Sequence, residues 1–223
     1  MNVYLYPSNT ETELKNAYVW VEHTFPSTYQ QVEWIESSWS QYIDTWYKPT
    51  IYDTIETKFT TQATSWDTNI YWSRTSYSED FTIWINTASW KWIAVHYPRN
   101  QSYSTDTWWF FTSDIINTPR VLKITPQYCY VDWEIKYTFN VSRTDYTPSY
   151  NAYLFTKNQS NSASLTWKFK IYYFYISSNW QLQRQFIPCY RKSDSVVWMY
   201  DLVTNQFYTN SWSGTFTKWP DVN

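Results

Sequence analysis

A chain of many short strands must reverse direction many times. Tight reversals favour glycine, which enters positive φ with no Cβ clash. This chain has a single glycine, Gly214, in 223 residues. Average usage of about 7% would supply roughly 16. Instead there are 17 tryptophans, and many follow Asn, Asp, Ser or Thr where the apolar alternation breaks. "VDW" before "EIKY" has the form of an Asp-Gly hairpin turn, and "SNW" before "QLQ" that of Asn-Gly. "SSWSQYIDTWYKP" and "NSWSGTFTKWP" repeat the oddity. A bulky residue at positive φ is an outlier. The pattern therefore predicts that these tryptophans stand at glycine positions, as they would if a gene using UGA for glycine were translated with UGA as tryptophan. The positions are Trp20, Trp39, Trp46, Trp66, Trp72, Trp90, Trp133, Trp167, Trp180, Trp198, Trp212 and Trp219, with one of Trp108 and Trp109. Trp34, Trp84 and Trp92 each sit inside an aromatic or β-branched strand pattern and read as authentic. The alternative is a tryptophan-rich surface of the kind some sugar-binding proteins carry.

Between the turns the chain reads as strand after strand. In "TIYDTIETKFT" (50–60), Ile51, Ile55 and Phe59 alternate with Tyr52, Glu56 and Lys58, the period of a half-buried strand. "FTIWIN" (81–86), "KWIAVHY" (91–97), "RVLKIT" (120–125), "YCYVD" (128–132), "EIKYTF" (134–139), "YNAYLF" (150–155), "KFKIYYFYI" (168–176) and "LQRQFIP" (182–188) follow. No segment holds a helical period for ten residues. About a dozen short strands separated by Ser, Thr, Asn and Asp predict an all-β sandwich or barrel. Residues 1–28 hold two short strand-like runs and the proline-containing "TFPSTY", and they read as an N-terminal extension to a domain spanning 29–223.

Seventeen basic and nineteen acidic residues give a net charge of −2, with no basic footprint for nucleic acid. The start lacks the basic and apolar regions of a signal peptide, and no apolar run reaches the length of a membrane span. A virion component released by lysis needs neither. Cys129 and Cys189 each lie in an apolar-aromatic strand and read as two buried thiols, with one disulfide the alternative. Two cysteines and two histidines, widely separated, form no zinc pattern.

With the suspect tryptophans read as glycines, "VEWIESSWSQYIDTWYKP" (32–49) and "FIPCYRKSDSVVWMYDLVTNQFYTNSWSGTF" (186–216) resemble the opening and closing stretches of a concanavalin A-like, laminin-G-like family found in phage and bacterial genomes. "VLKITPQYCYVDWEI" resembles that family's Asp-Gly hairpin, and "LTWKFKIYYFYI" one of its strands. The resemblance implies a two-sheet antiparallel jelly-roll β-sandwich. It also implies a non-catalytic recognition module, on a virion, a phage tail or another extracellular surface. The resemblance carries no ligand across; a glycan or host-surface polysaccharide is expected from the aromatic residues of one hairpin, and other virion or surface proteins could join through the N-terminal extension. A purely structural decoration protein is the runner-up. Laminin-G-like domains often bind calcium, but no ligand set in this sequence matches one.

Glycosidases of the same superfamily use paired carboxylates about 5–5.5 Å apart for retaining chemistry. Here Asp132 and Glu134 flank a predicted turn, and Glu33 and Glu36 are three apart, on opposite faces of a strand. The chain is therefore read as non-enzymatic. The sugar-binding expectation is local. In "FTIWINTASWKWIAVHY", Phe81, Ile83 and Ile85 share one face, and Thr82, Trp84 and Asn86 the other. Trp92, Ala94 and His96 on the next strand pair with the second set. Trp84, Trp92 and His96, with Arg74 upstream as a donor fork, are the candidate carbohydrate-binding residues. The competing reading is that Trp84 and Trp92 pack beneath a covering loop.

Overall fold

The computed structural model describes residues 25–61, 67–76, 79–86, 92–96, 110–111, 116–139, 148–164 and 168–222. The first six strands are β1 (Tyr29–Glu36), β2 (Ile43–Asp44), β3 (Asp53–Thr61), β4 (Asp67–Ser76), β5 (Glu79–Asn86) and β6 (Trp92–His96). Then come β7 (Phe110–Phe111), β8 (Arg120–Ile124), β9 (Tyr128–Val131), β10 (Glu134–Thr138), β11 (Tyr153–Leu154) and β12 (Lys157–Gln159). The last six are β13 (Ser162–Ser164), β14 (Phe169–Ser178), β15 (Gln181–Arg191), β16 (Val197–Asp201), β17 (Gln206–Tyr208) and β18 (Thr217–Asp221). Among the described residues there is no helix.

The strands form a β-sandwich of the jelly-roll kind. The larger, ten-stranded sheet runs β10-β9-β8-β3-β14-β1-β15-β16-β17, with β18 on β1; the smaller, eight-stranded sheet runs β13-β12-β4-β5-β6-β7, with β11 joining β2 to β4. Pairing is antiparallel throughout both sheets save for two contacts. β12 meets β4 in parallel at Gln159 and Arg74, and Thr61 bridges Ile116 in parallel.

The alternation seen in the sequence is what builds the core. Ile55 and Phe59 of β3 point inward with Phe174 and Ile176 of β14, and Tyr71, Phe81, Ile83 and Ile85 face them from the smaller sheet. Tyr71 links the layers, with its ring 5.1 Å from that of Phe174 and 5.5 Å from that of Phe81. Burying each such side chain stabilises the fold by about 1.5–3 kcal/mol, so the inward set dominates stability. Cys129 and Cys189 are both buried free thiols, and burial raises the pKa of each. Phe186 and Ile187 are buried beside Cys189, and Arg191 pairs with Asp194 at 2.5 Å, while Asp201 is met by Arg184 at 3.6 Å.

The turns carry the strain. Asp132 and Trp133 have φ of 50° and 70° between β9 and β10, and Asn179 and Trp180 have 47° and 68° between β14 and β15. Two successive positive values are the signature of a type I′ hairpin, which favours Asn-Gly or Asp-Gly. The tryptophan thus occupies the glycine place in both. Trp39 and Trp46 also have positive φ, at 79° and 49°, and all four rings are largely exposed. Trp212 is exposed and lies in a bend, without positive φ. Trp72, Trp198 and Trp219 lie within β4, β16 and β18 and lack positive φ. Trp20, Trp66, Trp90, Trp108, Trp109 and Trp167 lie outside the described residues. Gly214 itself has φ 79°, and a Cβ there would collide with the Gln41 side chain.

The strand expected over 150–155 is shortened to Tyr153–Leu154, because Phe155 takes φ 70° and turns the chain toward β12. Most of the N-terminal extension, residues 1–24, lies outside the described residues. Phe25 packs edge-on against Tyr200, with centroids 5.6 Å apart.

Candidate functional site

The face of the smaller sheet that points away from the core is assembled by backbone register. Ser73 and Tyr71 of β4 and Phe81, Ile83 and Ile85 of β5 point inward, so Trp72, Arg74, Asp80, Thr82 and Trp84 lie on the opposite face. One row crosses the sheet: Asp44 of β2 is opposite Tyr153 of β11, Tyr153 opposite Trp72, Trp72 opposite Thr82, and Thr82 opposite His96. In the neighbouring rows Arg74 meets Asp80, Trp84 meets Ala94, and Asn86 meets Trp92. The expected pairing of β5 with β6 is therefore the observed one at each of these positions. The side chains of Trp92 and His96, and the loop between the two strands, lie outside what is described.

Arg74 is drawn into the fold. Its Nε is 3.9 Å from Asp80 Oδ2, the two side chains are 9% and 3% exposed, and the Thr82 hydroxyl donates to Asp80 Oδ1. Thr82 is fully buried, whereas Trp84 retains partial exposure. Beside it lies Trp72, almost fully buried, whose ring stacks on Trp84 with centroids 5.9 Å apart and planes at 30°. The Lys157 ammonium sits 4.9 Å from the centre of the Trp72 ring. Trp72 Nε1 is buried and finds no hydrogen-bond acceptor among the described residues.

At the β2 end the row closes in aromatic rings around a carboxylate. Tyr42 stacks on Tyr153 at 4.8 Å, and Trp212 meets Tyr42 edge-on at 6.3 Å. Burial raises the pKa of Asp44, although the Trp46 backbone N–H and Asn151 donate to its carboxylate. Burial, with the Asp44 charge nearby, pushes the Tyr153 phenol up to about 12. The phenol hydroxyl donates to Asn161 Oδ1 at 3.2 Å.

Sequence reasoning did not find Trp72 beside Trp84, or Lys157, Tyr153 and Asp44 beyond Trp72, because they come from β4, β12, β11 and β2 and are brought together only by sheet pairing. The alternating "YNAYLF" does mark Tyr153 as a face residue. Nothing local marks Lys157.

Of the carboxylates weighed for catalysis, Asp132 and Glu134 make ion pairs at the β9–β10 hairpin. Asp132 accepts from Arg120 at 2.7 Å and from the Val121 N–H at 3.0 Å, which ties its hairpin to β8. Glu134 pairs with Lys136 across one side of β10. Among the described residues no three His, Cys, Asp or Glu converge as metal ligands, so no donor set of that kind is present for the calcium implied by the resemblance. Among the described residues no helix is long and apolar enough to cross a membrane. The chain matches no protein-family model and no curated protein. What defines its class is the all-β jelly-roll sandwich itself.

Proposed function

We propose that this β-sandwich is a non-catalytic recognition module of a phage virion, tail or other extracellular surface. It binds a glycan or host-surface polysaccharide through the outer face of its smaller sheet, with Trp84, Trp92 and His96 as contact positions. Arg74 helps to hold that face. One observation carries the reading: Trp84 stays partly exposed on a strand whose other face, Phe81, Ile83 and Ile85, is wholly core. Aromatic rings beside hydroxyl, amide and charged groups suit stacking on sugar rings with hydrogen bonds at their edges. The second part of the reading is that the tryptophans at the glycine-type turns are glycines in the natural protein. Positive φ at Trp39, Trp46, Trp133 and Trp180 supports it. The coding sequence tests this part directly: UGA codons at these positions are expected, and UGG codons would overturn it.

A structural decoration or assembly protein is the second reading, favoured by the burial of Arg74, Asp80 and Thr82 on the same face. Binding of the glycine-restored protein to a glycan array and to purified cell-wall polysaccharide separates the two. Recognition at this face requires binding that falls when Trp84 and Trp92 are both changed to Ala in a protein that still folds. Unchanged binding in that double variant would move the site to the loops at the sandwich rim. No binding by the parent would leave the decoration role.

A further inference from the structure

We infer that the space filled by the Trp72 indole is a sugar subsite, in which a hexopyranose ring stacks on Trp84 beneath Lys157. The inference rests on the sequence expectation that residue 72 is one of the glycine positions, although it lies mid-strand in β4, and on the proposal above that this face binds glycan. It goes further by naming the slot, its walls and its occupant.

The surroundings of Trp72 outline the slot that its ring fills. Its N–H is buried and finds no acceptor among the described residues. Its ring lies over Trp84 at 5.9 Å and 30°, the offset near-parallel placement of an aromatic pair, so one face of the Trp84 indole borders the space it fills. Its flanks are polar as well as aromatic: Lys157 Nζ is 4.9 Å from its centroid, and Thr82 and Tyr153 stand opposite it in the two adjacent strands. A glycine at position 72 leaves the strand pairing intact and removes the whole indole. The vacated slot has one aromatic wall, Trp84, and one cation able to donate to ring hydroxyls, Lys157. The tyrosine stack of Tyr153 on Tyr42 closes the side toward β2. Trp84, which forms the aromatic wall, is partly exposed. A flat, hydroxylated ring satisfies the apolar wall and the cation together, whereas an aliphatic ligand would make no use of the ammonium group.

The experiment compares two proteins, one with Trp72 retained and one with Trp72→Gly, both carrying glycine at positions 39, 46, 133 and 180. Glucose, galactose, mannose and N-acetylglucosamine are titrated at millimolar concentration. Saturation-transfer NMR reads binding, and a thermal melt confirms folding. The expected result is saturation transfer to at least one hexose from the Trp72→Gly variant and none from the protein that retains Trp72. Adding Trp84→Ala to Trp72→Gly should weaken that binding at least tenfold. Equal binding by the two proteins would overturn the subsite, as would loss of folding on Trp72→Gly. So would absence of hexose binding by a folded Trp72→Gly variant. If that folded variant bound polysaccharide without regard to Trp84, the recognition role would stand and the subsite alone would fall. If it bound neither, both would fall.

Discussion

At Phe155, between β11 and β12, φ is 70°, and at Trp180, in the β14–β15 hairpin, it is 68°. The two backbones are nearly the same and the surroundings are opposite. Phe155 is fully buried, stacked on Phe169 at 4.6 Å and tilted against Phe216 at 5.0 Å, and its N–H donates to the Ile70 carbonyl. Trp180 is 77% exposed at the tip of a two-residue turn. A left-handed backbone costs an L-residue roughly 1–2 kcal/mol. Burial of the Phe155 ring offsets that cost, since a buried aromatic contributes about 1.5–3 kcal/mol. Nothing comparable offsets it at Trp180. In the core the side chain explains the strain. At the tip the turn demands a positive φ, and the fold has no use for an indole there. That contrast supports the reading of the turn tryptophans as glycine positions without any appeal to their number.

The largest expected effect tests the core side of this comparison. Phe155→Ala removes a packed ring and leaves the φ strain in place, so it should destabilise the protein by about 4 kcal/mol. Phe155→Gly removes the same ring but relieves the backbone, and it should cost about 1 kcal/mol less than the alanine variant. Urea melts of both measure the difference. If alanine proved the milder change, φ strain at 155 would not be the counterweight described.

The next effect tests the rim. Replacing Trp39, Trp46, Trp133 and Trp180 together by glycine should stabilise the protein by about 3 kcal/mol and raise Tm by about 9 °C. The sum of four positive-φ gains is reduced by two ring contacts that glycine forfeits, Trp46 on Tyr208 at 5.0 Å and Trp133 beneath Lys123 at 5.9 Å. A lower Tm in the fourfold variant would show that the indoles belong to the fold.

These two sites also mark where the sequence could be read. The hairpin tips were legible because Asp132-Trp133 and Asn179-Trp180 keep the first half of a type I′ signature and break only the second. The core strands were legible because period-two alternation at 51–59 and 81–85 is local. Phe155 was not: "YLFTK" contains no turn residue, and its φ is imposed by the crossing from β11 to β12. The row Asp44–Tyr153–Trp72–Thr82 was hidden for a similar reason, since β2, β4 and β11 are joined only by tertiary pairing. Trp72, Trp198 and Trp219 escaped the turn argument altogether. They sit in strands, where position does not distinguish a glycine site from a tryptophan one.

A weaker effect contrasts a buried carboxylate with the rim. Asp53 is fully buried at the start of β3, and burial raises its pKa above the ordinary aspartate value, although Thr50 and Tyr47 donate hydrogen bonds that oppose the shift. Its folded pKa therefore lies above its unfolded one. The stability it contributes is complete below the unfolded value, near about 3.9, and is lost as pH rises through the folded value. Asp194 at the rim behaves in the opposite sense: the hydrogen bond from Arg191 lowers its pKa, so its contribution is lost as pH falls through the depressed value. Carboxyl ¹³C titration should place the Asp53 midpoint above that of an unstructured aspartate and the Asp194 midpoint below it. Reversed midpoints would refute the assignment of burial and ion pairing as the governing causes.

The smallest effect separates the turn positions from one another. Trp46 and Trp180 both have positive φ, but Trp46 does more than sit at a tip. Its N–H donates to Asp44 Oδ1 at 2.8 Å, its carbonyl accepts from Arg184 at 3.0 Å, and its ring lies on Tyr208. Glycine keeps both backbone hydrogen bonds and loses only the ring contact, worth about 0.5–1.5 kcal/mol for an aromatic pair. That loss nearly cancels the relief of φ, so Trp46→Gly alone should leave Tm close to its starting value. Trp180→Gly has no such aromatic contact to give up and should raise Tm by about 3 °C, the shift expected for about 1 kcal/mol in a chain of this size. Single-variant melts at one protein concentration resolve a difference of this size. If Trp46→Gly stabilised as much as Trp180→Gly, the Trp46–Tyr208 contact would contribute nothing, and exposure alone would no longer rank the turn positions.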